Sequence, residues 1–130
     1  MYKTVFITGQ NNIFFRRLSK FAKLMQSDIT MVKHVILWKL KDELSIEEKE
    51  SIKAGIKQGL ESLAGRIPGL VDIKVNTSGL PSSNVDLMLD STFESCEARK
   101  GYSVHPEHVA VANGKVRPYT AGRYCLDYEI

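Results

Sequence analysis

Residues 32–48, VKHVILWKLKDELSIEE, decide the fold. The first ten, Val32 to Lys41, alternate and are rich in β-branched and aromatic residues, which is the pattern of a strand. One face of that strand carries His34, Ile36, Trp38 and Leu40; the other carries Val35 and Leu37 between lysines. Both faces have apolar centres, so both are expected to be covered. Ser45 and Glu48 then form a capping box, in which each side chain satisfies the other residue's backbone donor, so a helix starts there. Ile52, Ile56, Leu60 and Leu63 give that helix one apolar stripe. Gly55 and Gly59 cost it roughly 1 kcal/mol each relative to alanine, and close packing on the sheet is the expected compensation. The helix should stop near Gly65, before the Ile67-Pro68-Gly69-Leu70 turn.

Downstream, Val71, Ile73 and Val75 alternate with polar residues in a second strand that has one wet face. A loop by composition, residues 79–84, leads to a third strand over Val85, Leu87, Leu89, Ser91 and Phe93. A short helix is expected from Ser95 to about Tyr102, and a further one with Pro106 as its first residue. Asn113-Gly114 weakens the latter midway. Tyr124, Leu126 and Tyr128 alternate in a C-terminal strand. The order is β-α-β-β-α-β, an α+β fold with an antiparallel four-stranded sheet. With the helices on one face, the other, holding His34, Ile36, Trp38 and Leu40 or their equivalents, is expected to lie open. A patch of that size points to self-association, two sheets packing face to face around a closed space.

At 130 residues the chain has room for one domain with one core. Being 43% apolar and 25% charged excludes a disordered chain. No apolar run approaches the roughly 20 residues that span a bilayer. Lys3, Arg16, Arg17, Lys20 and Lys23 face only Asp28 in residues 1–30, so the basic pI near 8.9 belongs to that segment. The nearly neutral remainder has no basic stripe of the kind a phosphate backbone requires, and nucleic acid is not an expected partner. Phe14, Leu18, Phe21 and Met25 are spaced for a short amphipathic helix. Residues 1–30 read as a basic extension ahead of a domain that opens at Met31, with a targeting or membrane-surface helix and a helix docked on the domain as alternatives. Cys96 and Cys125 have no CxxC spacing and fit a reducing, cytoplasmic setting, as small core or boundary residues.

The chemistry concentrates in the only three histidines, His34, His105 and His108. Two stand in Tyr102-Ser-Val-His105-Pro-Glu-His108. If Pro106 opens a helix, His108 is its third residue, where the dipole disfavours imidazolium and keeps the ring a neutral base. Tyr102 can donate a hydrogen bond to a carbonyl or enolate oxygen. The structural readings stand beside these. His105 before a proline suits a helix cap, His108 a core histidine satisfied by a carbonyl, His34 and Trp38 packing, and Tyr102 a plug at a helix end. HxxH is a weak ligand pattern, and neither a metal nor another cofactor is expected.

Met31-Val-Lys-His-Val-Ile-Leu-Trp-Lys-Leu-Lys, the Ile-Pro-Gly-Leu turn at 67–70, the Tyr102 to His108 block and the ending Leu126-Asp-Tyr-Glu129 together resemble the stress-responsive A/B barrel (Dabb) family. The resemblance spans residues 31–130. It implies a ferredoxin-like monomer and a homodimeric α+β barrel, paired through the open sheet face and the C-terminal strand. In a plant polyketide cyclase of the family, the tyrosine and second histidine of this block carry out an intramolecular aldol cyclisation; by motif those are Tyr102 and His108. The resemblance places His34 in the pocket; Ile36, Trp38 and His105 are read as lining it with His34. Three functions follow as expectations: a dimer holding a small organic molecule in the barrel, a cyclase or lyase moving a proton on a keto substrate, or a dimerisation domain with a filled barrel. An open cavity beside His108 separates the last from the others.

Overall fold

The structure, a computed structural model, describes residues 30–130. The amphipathic helix expected around residues 14–25 lies outside them. The chain runs β1 (Val32–Leu40), α1 (Ile46–Glu61), β2 (Leu70–Asn76), β3 (Leu87–Phe93), α2 (Cys96–Val104), α3 (Pro106–Val111) and β4 (Thr120–Glu129). A π-turn, Ala112–Val116, and a 3-10 turn, Arg117–Tyr119, join α3 to β4. All strands pair antiparallel in the order β2-β3-β1-β4, the expected ferredoxin-like arrangement.

Local chemistry explains the boundaries. Ser45 Oγ accepts from the Glu48 amide at 3.0 Å and Glu48 accepts from the Ser45 amide at 2.8 Å, so α1 starts on the complete capping box. Ser95 caps α2 in the same manner, accepting from the Ala98 amide. Gly69 sits at φ +79°, in the left-handed region, and a Cβ there would stand 2.4 Å from the Ala98 Cβ. The turn therefore needs glycine twice over, for its backbone and for the close approach of α2. Gly59 also allows a close approach, but not to the sheet. A Cβ on it would meet Val111 and Lys115 at 3.0 and 3.1 Å, so what it admits is the α3 and π-turn region, while a Cβ on Gly55 would meet nothing.

The strand-one faces are the reverse of the expectation. His34, Ile36, Trp38 and Leu40 are buried, and Ile36, Trp38 and Leu40 share one core with Ile56, Leu60 and Leu63 from α1 and the turn after it, and with Tyr102 from α2. The reason is charge: Lys33 and Lys39 flank Val35 and Leu37, so only the set without lysines can be sealed by the helices' apolar stripes. The open face instead pairs Val35 with Leu126, Leu37 with Tyr124 and Met88, and Lys33 with Tyr128. Tyr124 and Leu126 are 60% and 63% exposed there. The space beside His34 thus lies between sheet and helices within one protomer, not between two sheets. Both cysteines, read as core or boundary residues, are exposed and unpaired. Cys96 is the first residue of α2 and Cys125 stands on the edge strand β4. No helix among the described residues is long and apolar enough to cross a membrane.

Candidate functional site

The site is built around a sharp bend between α2 and α3. His105, in extended conformation, ends α2 and starts α3; its Nδ1 accepts from the Glu107 amide at 3.2 Å, and Pro106 takes the first helical position. The bend turns Tyr102 and His108 onto the same space, with their rings 4.1 Å apart and tilted by 35°. Tyr102 is 1% exposed and packs edge-on against Phe93 at 5.0 Å and His34 at 6.0 Å. Burial raises its hydroxyl's pKa far above the usual phenol value, so it is a donor at any physiological pH. His108 is held below the ordinary histidine value, first by burial and then by the charges of Arg117, His34 and Arg123, although the Ser103 backbone pulls the other way. The neutral ring follows the sequence expectation, but by a different cause. In a helix of six residues His108 lies in the last turn as well as the first, and the dipole contributes little.

His34 reaches the site from β1. Its Nδ1 lies 2.5 Å from Asp127 Oδ1, the residue directly opposite it on β4. Burial lowers the His34 pKa more than Asp127 raises it, so the neutral ring donates from Nδ1 and Nε2 is left as the acceptor. Burial would raise Asp127, but the hydrogen bonds from His34 and Cys125 and the charge of Arg99 together hold it below the usual carboxylate value. Arg99 Nε stands 3.4 Å from Asp127 Oδ2 and Cys125 Sγ 3.5 Å from Oδ1. His34, Cys125 and Asp127 place three donor atoms within 4.8 Å of one another, the only such group among the described residues. Arg99 against the carboxylate and Arg123 nearby oppose a cation there, and the short contact is a hydrogen bond rather than the edge of a coordination sphere.

These elements enclose a cavity of about 200 Å³. The sheet side contributes His34, Ile36 and Trp38, the helix side Leu60, Tyr102 and His108; Arg117 and Arg123 also line it. Tyr102 Oη and His108 Nδ1 are buried and have no hydrogen-bond partner, although buried polar groups nearly always have one. The π-turn buries Ala112 and Val116 against this space, a widened turn of the kind often found at functional sites.

Of the residues singled out in the sequence, Tyr102, His108, His34, Ile36 and Trp38 share this cavity. His105 does not. It faces a separate groove with Ile67, Pro68 and Ala98, because its ring is turned back to cap α3. Asp127, Arg117 and Arg123 were not singled out. The β1–β4 register, which sets Asp127 opposite His34 and Arg123 opposite Trp38, was the only signal that could have found the two on β4.

The model of the stress-responsive A/B barrel domain matches residues 32–130. The chain belongs to the stress-responsive A/B barrel family. Among solved structures, a dimeric ferredoxin-like protein of unknown function from Bacteroides fragilis is 34% identical, with 77% of this chain and 96% of that one covered and a TM-score of 0.73. A Dabb family protein from Mesorhizobium loti is 20% identical over 76% of this chain and 95% of that one, with a TM-score of 0.60. The hydroxynitrile lyase of Passiflora edulis is 21% identical over 78% and 94%, also with a TM-score of 0.60, and so shares the fold. No curated protein matches the sequence.

Proposed function

We propose that this A/B barrel protein works as a homodimer in which each protomer holds one small, oxygen-bearing organic molecule in the cavity beside His108. The observation that carries the reading is the pair of orphaned polar atoms, Tyr102 Oη and His108 Nδ1, buried on one cavity wall. A ligand oxygen accepting from the tyrosine would offset the roughly 1–3 kcal/mol that burying an unpaired hydroxyl costs. An engineered apolar cavity of about 150 Å³ takes up benzene, so the space here suits roughly one ring and its substituents. An open cavity beside His108 speaks against a dimerisation domain filled by its own side chains.

Pairing is supported by the open sheet face, where Val35, Leu37, Met88, Tyr124, Leu126 and Tyr128 form one patch, and by the dimeric state of the Bacteroides fragilis protein. Binding of single-ring ketones, aldehydes and phenols, measured by calorimetry on the wild type and on Tyr102→Phe and His108→Ala, tests the proposal. Micromolar to millimolar binding that weakens in both variants supports it; equal binding in all three proteins overturns it.

A second reading is favoured by the neutral state of His108. A half-buried, uncharged imidazole whose ring centre lies 4.1 Å from that of a tyrosine donor is an arrangement suited to taking a proton from carbon while the adjacent carbonyl oxygen gains charge. That is the chemistry of a keto-substrate cyclase or lyase, with His108 as base and Tyr102 holding the oxygen. Deuterium wash-in at the carbon next to the carbonyl of a bound ketone, followed by NMR in D2O, tests it. Wash-in that disappears in His108→Ala supports turnover; a bound ketone that exchanges no faster than in buffer leaves the site a binding site.

A further inference from the structure

We infer that the molecule held in the cavity is an organic anion, a single-ring-sized carboxylate whose charged end meets Arg123 and Arg117. The inference rests on the cavity-binding reading and adds to it the class of ligand. It begins with the charge of the lining. No carboxylate is among the lining side chains, and their fixed charges are the guanidiniums of Arg117 and Arg123. The nearest acid in the β1–β4 register, Asp127, is engaged by His34, Cys125 and Arg99.

The two guanidiniums are not equally placed, and the difference strengthens the argument. Arg123 is opposite Trp38 in the β1–β4 register, so its side chain leaves the sheet on the cavity face. Among the described residues the Arg123 guanidinium makes no hydrogen bond and no ion pair. Arg117, at the end of the π-turn, bonds only to Asn113 Oδ1, a neutral acceptor. Two positive groups beside a low-dielectric concavity, with no counter-charge on its wall, focus a field that draws anions in. A guanidinium offers a planar fork that matches a carboxylate. The orphaned Tyr102 hydroxyl, deep in the same space, would take a second oxygen of the ligand. A site with a donor at its floor and cations in its lining fits an oxo- or hydroxy-substituted acid better than a neutral ketone.

Matched pairs of carboxylate and primary amide test this: benzoate against benzamide, and 4-hydroxybenzoate against 4-hydroxybenzamide. Binding is measured by calorimetry on the full chain at neutral pH, at low and at high salt. The carboxylate of a pair should bind about tenfold or more tighter than its amide, with the advantage shrinking as salt rises. Arg123→Gln should weaken that preference, the double variant Arg117→Gln/Arg123→Gln should erase it, and Arg123→Lys should keep part of it. Equal binding of acid and amide, or a preference that survives in the Arg117→Gln/Arg123→Gln double variant, overturns the anion inference and leaves the cavity-binding reading standing. Failure of every probe to bind overturns both.

Discussion

Replacing Tyr102 by phenylalanine removes one oxygen atom from the middle of the protein and leaves the ring where it is. That ring is fully packed, 5.0 Å from Phe93 and 4.1 Å from His108, and the substitution keeps both contacts. The oxygen has no partner, so the folded state bears its desolvation without a compensating bond. A buried unsatisfied polar group costs about 1–3 kcal/mol, and partial hydration through the adjacent cavity reduces that to roughly 1 kcal/mol. Tyr102→Phe should therefore raise stability by about 1 kcal/mol. With a urea m-value on the order of 2 kcal/mol/M, the midpoint should move up by about 0.5 M at unchanged m. Both proteins must be unfolded at the same protein concentration, since the stability of a dimer depends on it. A loss of 1 kcal/mol or more would show that the hydroxyl supports the fold, and the argument from a free donor would fail.

Acidification should destabilise the protein. The folded-state pKa values of His34 and His108 lie below the ordinary 6.5, so below that pH the unfolded chain takes up protons that the folded one refuses. Urea midpoints should fall from pH 7 to pH 5.5, less steeply in His108→Gln; a flat profile in the wild type would contradict the assigned burial. Leu126→Glu, on the exposed sheet face, should convert dimer to monomer in light scattering, whereas an unchanged mass would remove this face from the interface. Gly69→Ala should cost roughly 1–3 kcal/mol in urea, from the left-handed backbone and the clash with Ala98; a neutral result would mean the turn adapts.

How much of this was legible in the sequence depended on how far each signal reached along the chain. The α1 start was visible because Ser45 and Glu48 are three residues apart and satisfy each other locally. The break at His105-Pro106 was visible because proline suits the first position of a new helix, whereas the pairing of Tyr102 with His108 came only from the family resemblance. The side on which β1 buries does not follow from alternation, because both of its faces have apolar centres; Lys33 and Lys39, on one face only, settle it. Asp127 and Arg123 were out of reach for another reason. They join His34 and Trp38 only through the β1–β4 register, a pairing across about ninety residues that alternation alone does not set. An open His34 face would put the cavity between two sheets; the reversed face of β1 puts it beneath the helices.

The chain has a single tryptophan, Trp38, and it lines the cavity, so its emission reports occupancy without a label. Titration of the native protein with a panel of single-ring ketones, phenols and carboxylates, followed by Trp38 fluorescence, tests the central claim most directly. The account predicts a saturable change with at least one class of compound, weakened in Tyr102→Phe and in His108→Ala. No change with any compound, or a change of equal affinity in both variants, would contradict a ligand site built on Tyr102 and His108.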